Sequence, residues 1–166
     1  MNSVKDVMVV GGGEIGHYLC EQLIRSGMSV KLIEKDPARC ETLCATLDDG
    51  VAVINGDASD QNILVESGLE QTGAFVALTN LDEENILLSL FAKSVCDCKC
   101  VTKINRIGFD NVISKLDLDT IINPKSITSD TIVRYVRAMS SSRGSNMETL
   151  YLSLIHISEP TRLLSI

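Results

Sequence analysis

The sequence lacks the long apolar runs and the leader of membrane and secreted proteins. No apolar stretch approaches the roughly 18 residues that a membrane-spanning helix requires, and no signal peptide opens the chain. We therefore expect a soluble, intracellular protein. Only three prolines occur in 166 residues, of which 45% are apolar and 22% are charged. This composition is typical of ordinary globular packing, and the length suits one domain with a sizeable core.

Basic character is also scarce. The formal net charge is −7, and no stripe of lysine and arginine is visible along the chain. A protein that binds nucleic acid needs such a stripe to neutralise phosphates, so the sequence argues against nucleic acid as a partner.

Metal-ligand spacing is missing despite six cysteines. No Cys-x-x-Cys pair occurs, and neither His17 nor His156 has a companion at a suitable spacing. Cys40 and Cys44 lie on a predicted helix, and the segment Cys96-Asp-Cys-Lys-Cys100 alternates cysteines with charged residues. We expect reduced thiols that serve as small hydrophobic side chains, and no metal site. Metal binding or redox sensing is the alternative.

The most informative stretch runs from residue 7 to residue 19. The apolar run Val7–Val10 predicts a buried strand, and an amphipathic helix begins near Ile15. Between them lie Gly11, Gly13 and Gly16 in the spacing G-x-G-x-x-G. The first glycine allows a tight turn, the second lets the backbone approach a pyrophosphate, and the third permits close helix–strand packing. The helix then presents free N–H groups and a positive dipole end to the phosphates.

A second predicted strand ends at Glu34, 18 residues beyond Gly16. An acidic residue at this place accepts hydrogen bonds from the adenine-ribose hydroxyls and repels a 2′-phosphate, which favours NAD(H) over NADP(H). Strand, glycines, helix, strand and acid together predict a nucleotide-binding Rossmann unit. The alternative is a glycine-rich turn in an α/β domain that binds nothing.

Strand and helix patterns alternate along most of the chain. The predicted strands are 7–10, 29–34, 51–54, 74–78, 100–104 and 120–123, and the predicted helices are 15–26, 37–47, 61–68, 82–95, 108–116 and 126–139. Asp82 is expected to cap the long helix. Six apolar strands with intervening helices predict an α/β fold with a Rossmann-like, doubly wound, parallel sheet in the order 3-2-1-4-5-6. The polar residues expected at the ligand-binding strand ends are Glu34, Asp57, Thr79, Asn80, Lys103 and Arg106.

The pattern changes after Met139. Ser140-Ser-Ser-Arg-Gly-Ser has the composition of a flexible linker, and residues 153–166 show no clear period. We interpret residues 1–140 as the nucleotide-binding domain, 141–152 as a linker into a further domain, and 153–166 as a non-native tail, a cloning scar or out-of-frame read-through.

Three segments carry a more specific resemblance. They are Gly11-Gly-Gly-Glu-Ile-Gly16, Gly56-Asp-Ala-Ser59 and Thr79-Asn-Leu-Asp-Glu-Glu-Asn85, to which residues 121–129 and 135–137 add. From about Val4 to Tyr151 the chain resembles the nucleotide-binding, N-terminal domain of Trk-type potassium-uptake regulatory proteins, the KTN or RCK family.

The resemblance implies a non-enzymatic regulatory subunit of a potassium uptake system. Such a subunit is cytoplasmic and peripheral at the inner face of the cell membrane, binds NAD(H) or ATP/ADP at one site, and gates a membrane potassium channel or transporter. It also implies a homo-oligomer, a dimer or a higher ring. In this family a smaller second domain usually follows, which would begin near Glu148 and is missing or replaced here.

The resemblance also assigns roles by position. It implies that Gly11, Gly13, Glu14, Ile15 and Gly16 hold the phosphates, that Glu34 and Lys35 hold the ribose, and that Asp57 and Ala58 face the adenine. Thr79 and Asn80 would line the second half of the site, and Lys103 and Arg106 would reach further phosphates. The acidic position carries Glu where the family often has Asp, which lengthens the reach to the ribose.

The competing hypothesis is a fragment of an NAD-dependent oxidoreductase that lacks its substrate domain. An enzyme of this class needs a general acid or base beside the nicotinamide. The two histidines are poor candidates, because His17 lies on the first helix past the glycine loop and His156 lies in the doubtful tail. We therefore favour the regulator, with no catalytic residues. The broad apolar face at residues 86–91 predicts a subunit contact through the helices at 82–95 and 108–116.

Overall fold

Strands and helices alternate along the chain in the computed structural model, which describes residues 4–106 and 110–141. The strands are β1 (Asp6–Val10), β2 (Ser29–Glu34), β3 (Val51–Asn55), β4 (Ala74–Ala77), β5 (Lys99–Lys103) and β6 (Thr120–Ile122). The helices are α1 (Glu14–Arg25), α2 (Pro37–Thr46), α3 (Gln61–Glu66), α4 (Asp82–Val95), α5 (Asp110–Ile113) and α6 (Pro124–Ser141). A short 3-10 turn at Leu69–Gln71, between α3 and β4, was not predicted.

The six strands form one parallel sheet in the order β3-β2-β1-β4-β5-β6. The predicted fold class and strand order are therefore confirmed. The central strand β1 pairs with β2 on one side and with β4 on the other. The strand order reverses between these two neighbours, and open α/β sheets bind ligands in the crevice at such a point, outside the carboxyl ends of the strands.

The sheet buries a core on each face. Side chains of successive strand residues point to opposite faces. Met8 lies in one core with Leu88 of α4, and its neighbour Val9 lies in the other core with Cys20 of α1 and Leu43 of α2. Met8 and Val9 are fully buried, and burial of side chains of this size contributes about 1.5–3 kcal/mol each. The two cores fix β1, and the loop that leaves it, in place.

The chain divides into two compact units after Pro124. The sheet and helices α1 to α5 belong to the first unit, and α6 supplies most of the described part of the second. The large apolar side chains exposed on α6 are those of Ile127, Ile132, Val133, Tyr135, Val136 and Met139. Apart from Ser141, the predicted linker 141–152 and the predicted tail 153–166 lie outside the described residues. Among the helices of the described ranges, none is both long and apolar enough to cross a bilayer.

Helix α4 begins at Asp82, as predicted, but the prediction that Asp82 caps it is wrong. The N-cap residue is Leu81, which makes no side-chain cap hydrogen bond. The Asp82 carboxylate instead accepts hydrogen bonds from the backbone N–H groups of Asn105 and Arg106. Asp82, Glu83 and Glu84 still place three acidic residues in the first turn, where the helix dipole favours negative charge.

The expectation of reduced thiols is not met at two positions. Cys96 and Cys98, between α4 and β5, form a disulfide with a Cα–Cα distance of 5.3 Å, within the usual range for such a bond. Cys20, Cys40 and Cys100 are free and buried, and burial raises the pKa of Cys20 and of Cys100 to about 11. Within the described part of the chain, no group of three His, Cys, Asp or Glu side chains is placed to hold a metal ion.

Candidate nucleotide-binding site

A cleft of about 320 Å³ lies over the carboxyl ends of β1 to β4, at the point where the strand order reverses. Ligand pockets of proteins have volumes of roughly 300–1,000 Å³. The cleft is lined by Val10, Gly11, Gly13, Ile33, Glu34, Lys35, Gly56, Asp57, Ala58, Leu78, Thr79, Asn80, Leu81 and Glu84. The sheet thus brings together predicted site residues from four separate strand ends.

The three glycines of the G-x-G-x-x-G motif serve different purposes. Gly11 has a φ of +104°, and an added Cβ would lie 2.9 Å from the carbonyl carbon of Leu78. At Gly16 an added Cβ would lie 2.1 Å from the carbonyl oxygen of Gly11. At Gly13 an added Cβ would have no neighbour within 4 Å. The fold itself requires Gly11 and Gly16, whereas Gly13 lines the cleft and has open space beside its Cα.

Glu34, at the end of β2, holds a fixed carboxylate at the rim of this loop. One of its oxygens accepts a hydrogen bond from the N–H of Gly12 at 2.7 Å, and the other accepts one from the N–H of Asp36 at 2.9 Å. Each carboxylate oxygen has two lone pairs, so both can still accept a bond from a ribose hydroxyl. The two backbone hydrogen bonds fix the position of the negatively charged Glu34 carboxylate, and its remaining lone pairs are free to accept hydrogen bonds from a ligand.

Arg39 on α2 is a loop contact that sequence reasoning missed. Its Nε donates to the carbonyl oxygen of Gly12 at 2.7 Å, and its guanidinium lies 3.7 Å from the carboxylate of Glu14. The Glu14 side chain is 84% exposed, so the ion pair itself contributes little to stability. No local pattern marks Arg39, because its role depends on how α2 packs beside the loop. Glu14, Ile15 and Gly16 do not line the cleft.

The turn after β3 forms the adjoining wall of the cleft. Asp57 accepts a hydrogen bond from the backbone N–H of Ser59 at 2.9 Å. Hydrogen bonds from the side chain and backbone of Ser59 lower the pKa of Asp57, so its carboxyl group is ionised at neutral pH. Ala58 is buried beside it. At Gly56 an added Cβ would lie 2.8 Å from Cγ2 of Ile63. The absence of a side chain at Gly56 therefore allows this turn to lie close to α3.

Asn85 on α4 fixes the opposite wall, and it was also missed. Its Oδ1 accepts hydrogen bonds from the backbone N–H and the hydroxyl group of Thr79, both at 2.8 Å. Its Nδ2 donates to the carbonyl oxygens of Thr79 at 3.1 Å and Lys103 at 2.9 Å. The side chain is fully buried, and these four bonds use its whole hydrogen-bonding capacity. A polar residue on the buried face of a predicted helix is the signal that could have identified it.

Lys103 and Arg106 lie outside the residues that line the cleft. Lys103 is buried at the end of β5, and burial lowers its pKa while the nearby carboxylate of Asp82 acts in the opposite direction. Arg106 is exposed just past β5. Contact of either residue with a ligand remains a prediction.

The family of the chain follows from a comparison with known proteins. The family profile of the TrkA-N domain matches residues 7–124. The chain belongs to the TrkA-N domain family. This confirms the resemblance to Trk-type potassium-uptake regulatory proteins. The Trk system potassium uptake protein TrkA of Haemophilus influenzae is 38% identical over 133 residues, which are 80% of this chain and 29% of that protein. The chain therefore spans under a third of the length of this relative.

Solved structures share the fold of this chain. A structure described as the GsuK channel bound to NAD has a TM-score of 0.61 and 15% identity, covering 73% of this chain and 22% of that one. A structure described as GsuK bound to ADP has a TM-score of 0.63 and 20% identity, covering 77% of this chain and 32% of that one. At this level of identity the likeness shows a common fold.

Proposed function

We propose that this TrkA-N domain is a non-enzymatic nucleotide sensor. It binds NAD(H) or ATP/ADP in the cleft over β1 to β4, and the bound state gates a potassium channel or transporter in the membrane. The observation that carries the proposal is the open space at Gly13, which lies in one cleft with the fixed carboxylate of Glu34. A pyrophosphate fits over the loop at the start of α1, and an adenine ribose fits at Glu34.

The known relatives support this class of function. The Haemophilus relative is a potassium uptake protein by name, and the two GsuK structures are described as bound to NAD and to ADP. An ADP group is common to both ligands, so the ribose and adenine places that we propose at Glu34 and at Asp57 would suit either one. We propose that NAD(H), ATP and ADP compete for this one site.

A fragment of an oxidoreductase is the second candidate, since the fold also occurs in dehydrogenases. Hydride transfer needs a proton donor or acceptor beside the nicotinamide. Histidine, cysteine and tyrosine are absent from the described residues that line the cleft. His17 instead lies 3.4 Å from Glu21, one turn further along α1. The titratable side chains that line the cleft are those of Glu34, Lys35, Asp57 and Glu84, and a turnover assay decides between the two candidates.

Gating requires that ligand binding favour one of two arrangements of an assembly, because a ligand that binds both states equally shifts nothing. We propose a homo-oligomer at the cytoplasmic face of the membrane, with α4 and α5 at the subunit contact. Leu87 on α4 is 67% exposed and Val112 on α5 is 57% exposed. The membrane partner in this proposal is a Trk-type channel or transporter subunit.

The purified protein tests the proposal directly. NADH, ATP and ADP are titrated singly and in competition by calorimetry. NADH oxidation is followed with a mixture of keto acids, and NAD+ reduction with a mixture of hydroxy acids. We expect saturable binding, mutual competition and no turnover. Sustained oxidation of NADH would contradict the sensor and support the enzyme. Failure of all three nucleotides to bind would contradict the proposal that the cleft binds adenine nucleotides.

Glu34 is expected to select NADH over NADPH. Its fixed carboxylate accepts from the ribose hydroxyls and opposes a 2′-phosphate, so we expect a preference of about tenfold or more, equivalent to about 1.4 kcal/mol. Glu34→Gln removes the charge and should abolish most of this preference. The matched control is Glu41→Gln, an exposed carboxylate on α2 that does not line the cleft. Equal affinities of the wild type for the two cofactors would contradict the prediction.

Arg106 is expected to read the terminal phosphate. A guanidinium makes charge-assisted bonds to phosphate oxygens, and ATP offers it a γ-phosphate that ADP lacks. Loss of a charged hydrogen-bond partner costs roughly 1.5–3 kcal/mol, so Arg106→Ala should weaken ATP binding about tenfold to a hundredfold. ADP and NADH should bind almost as before.

Arg25→Ala is the control for Arg106→Ala. It removes the same charge at the far end of α1, where Arg25 faces Glu21, so all three affinities should stay unchanged. If Arg106→Ala weakens all three nucleotides together, Arg106 maintains the shape of the site. Unchanged affinities would remove it from the site altogether.

A further inference from the structure

We propose that Asp82 is a positioning residue that holds the Asn105–Arg106 turn, so that Arg106 faces the terminal phosphate of a bound nucleotide. This inference rests on the proposed function, because it concerns how the nucleotide site tells ATP from ADP. The Asp82 carboxylate lies between the segment that lines the cleft before α4 and the turn that follows β5.

Both oxygens of the carboxylate take part in holding the turn. Oδ1 accepts the backbone N–H of Asn105 at 2.9 Å and the Nδ2 group of Asn105 at 3.1 Å. Oδ2 accepts the backbone N–H of Arg106 at 2.9 Å. Two successive amides bound by one carboxylate hold the backbone of Asn105 and Arg106 where the chain leaves β5.

The carboxylate is buried, with 6% of the residue exposed. Burial of a charged group is costly unless that group is paired or hydrogen-bonded. Burial pushes the pKa of Asp82 upward, but the hydrogen bonds from Asn105 and Arg106 outweigh it and leave the pKa below its usual range. Asp82 therefore stays ionised at neutral pH, and charged acceptors form the stronger hydrogen bonds.

Other contacts also attach α4 to β5. Asn85 donates to the carbonyl oxygen of Lys103 at 2.9 Å, and the hydroxyl group of Thr102 bonds to that of Ser89 at 2.8 Å. Both bonds lie on the strand itself. The Asp82 bonds lie past the end of the strand, so their specific effect is to hold the backbone of Asn105 and Arg106.

The same carboxylate also connects the turn to the cleft. Leu81 lines the cleft and is the N-cap residue of α4, directly before Asp82. The backbone of Thr79, at the same wall, is held by Asn85 from the same helix. The first turns of α4 thus form hydrogen bonds both to Thr79, at one wall of the cleft, and to the backbone of Asn105 and Arg106.

The test is a double-mutant cycle on nucleotide selectivity. Wild type, Asp82→Asn, Arg106→Ala and the double variant are titrated with ATP, ADP and NADH. Asparagine has nearly the same shape, but its amide nitrogen cannot accept a hydrogen bond, so one of the two backbone amides loses its partner. Glu83→Gln is the matched control, because it removes the same charge from the first turn of α4 at an exposed neighbouring position.

Asp82→Asn is expected to lower the preference for ATP over ADP several-fold, with the affinity for NADH unchanged. In the Arg106→Ala background it should cause no further loss, since coupled residues give non-additive effects. Glu83→Gln should leave the preference intact. Far-UV circular dichroism and thermal unfolding confirm that each variant is folded. If Asp82→Asn does not fold, Asn105→Ala, which removes one of the three bonds, should show a smaller effect in the same direction.

Two results would overturn the inference. An unchanged ATP-over-ADP preference in folded Asp82→Asn, or additive effects in the double variant, would show that Asp82 does not act through Arg106. If Arg106→Ala alone leaves the preference unchanged, Arg106 does not read the terminal phosphate, and the fault lies in the proposed function. The two failures are distinguished by the Arg106→Ala titration alone.

Discussion

Gly13→Ala is expected to abolish nucleotide binding while the protein remains folded. An added Cβ at this position has no protein atom within 4 Å, and Gly13 has the extended backbone angles of an N-cap, with φ −65° and ψ −172°. Any residue can adopt such angles. The methyl group would lie where a pyrophosphate must approach the backbone of the loop. We expect NADH and ATP to weaken about a hundredfold or more, equivalent to about 2.8 kcal/mol.

The stability of the Gly13→Ala variant should be close to that of the wild type. Alanine restricts the unfolded chain more than glycine does, which stabilises by about 0.4–1 kcal/mol. Alanine is also a poorer N-cap than glycine, which costs a similar amount. Calorimetric titration measures the binding, and urea denaturation without nucleotide measures the stability.

Gly73→Ala is the matched control for binding. Gly73 precedes β4, at the amino end of the sheet and away from the cleft. Its added Cβ would make ordinary contacts of 3.4 Å with Asp6 and Val4, and nucleotide affinity should be unchanged. Wild-type affinity in folded Gly13→Ala would contradict the assignment of the phosphates to this loop.

The fold could be predicted because its causes are local. Apolar runs of three to six residues that alternate with helical segments specify a parallel sheet with crossover helices. The glycine spacing and the acid at the end of the second strand then locate the crevice. Gly11, Gly13, Glu34, Lys35, Asp57, Ala58, Thr79 and Asn80 all line the cleft. Their place follows from strand ends alone, because parallel strands bring their carboxyl ends to one edge.

The supporting contacts could not be predicted, because each joins residues far apart in sequence. Arg39 reaches Gly12 from 27 positions away, and Asp82 reaches Arg106 from 24 positions away. Their partners depend on how α2 and α4 pack against the sheet. An acidic residue at a helix start predicts a cap from local pattern, but Leu81 takes the N-cap angles here. The carboxylate of Asp82 is then directed to the neighbouring turn instead.

Gly16→Ala is expected to lower stability, unlike Gly13→Ala, although both change a glycine of the same G-x-G-x-x-G motif. Its added Cβ would lie 2.1 Å from the carbonyl oxygen and 3.2 Å from the carbonyl carbon of Gly11. Both are backbone atoms, so neither can rotate away. Gly11 is itself held by its N–H bond to the carbonyl oxygen of Ile33 at 2.9 Å. The clash is relieved only if α1 moves away from the loop that leads into it.

The free energy of unfolding of Gly16→Ala should fall by up to about 2 kcal/mol. Overpacking of a close contact costs typically about 1–3 kcal/mol, and this contact is at the upper end because only backbone can yield. Alanine recovers about 1 kcal/mol of helix propensity within α1, which offsets part of that cost. Stabilities of small domains are only about 5–15 kcal/mol, so the loss is a large fraction of the total. Urea denaturation without nucleotide measures it, with Gly13→Ala as the control that keeps the wild-type midpoint. A wild-type midpoint for Gly16→Ala would mean that α1 and the loop can separate freely, and that Gly16 is not required for their packing.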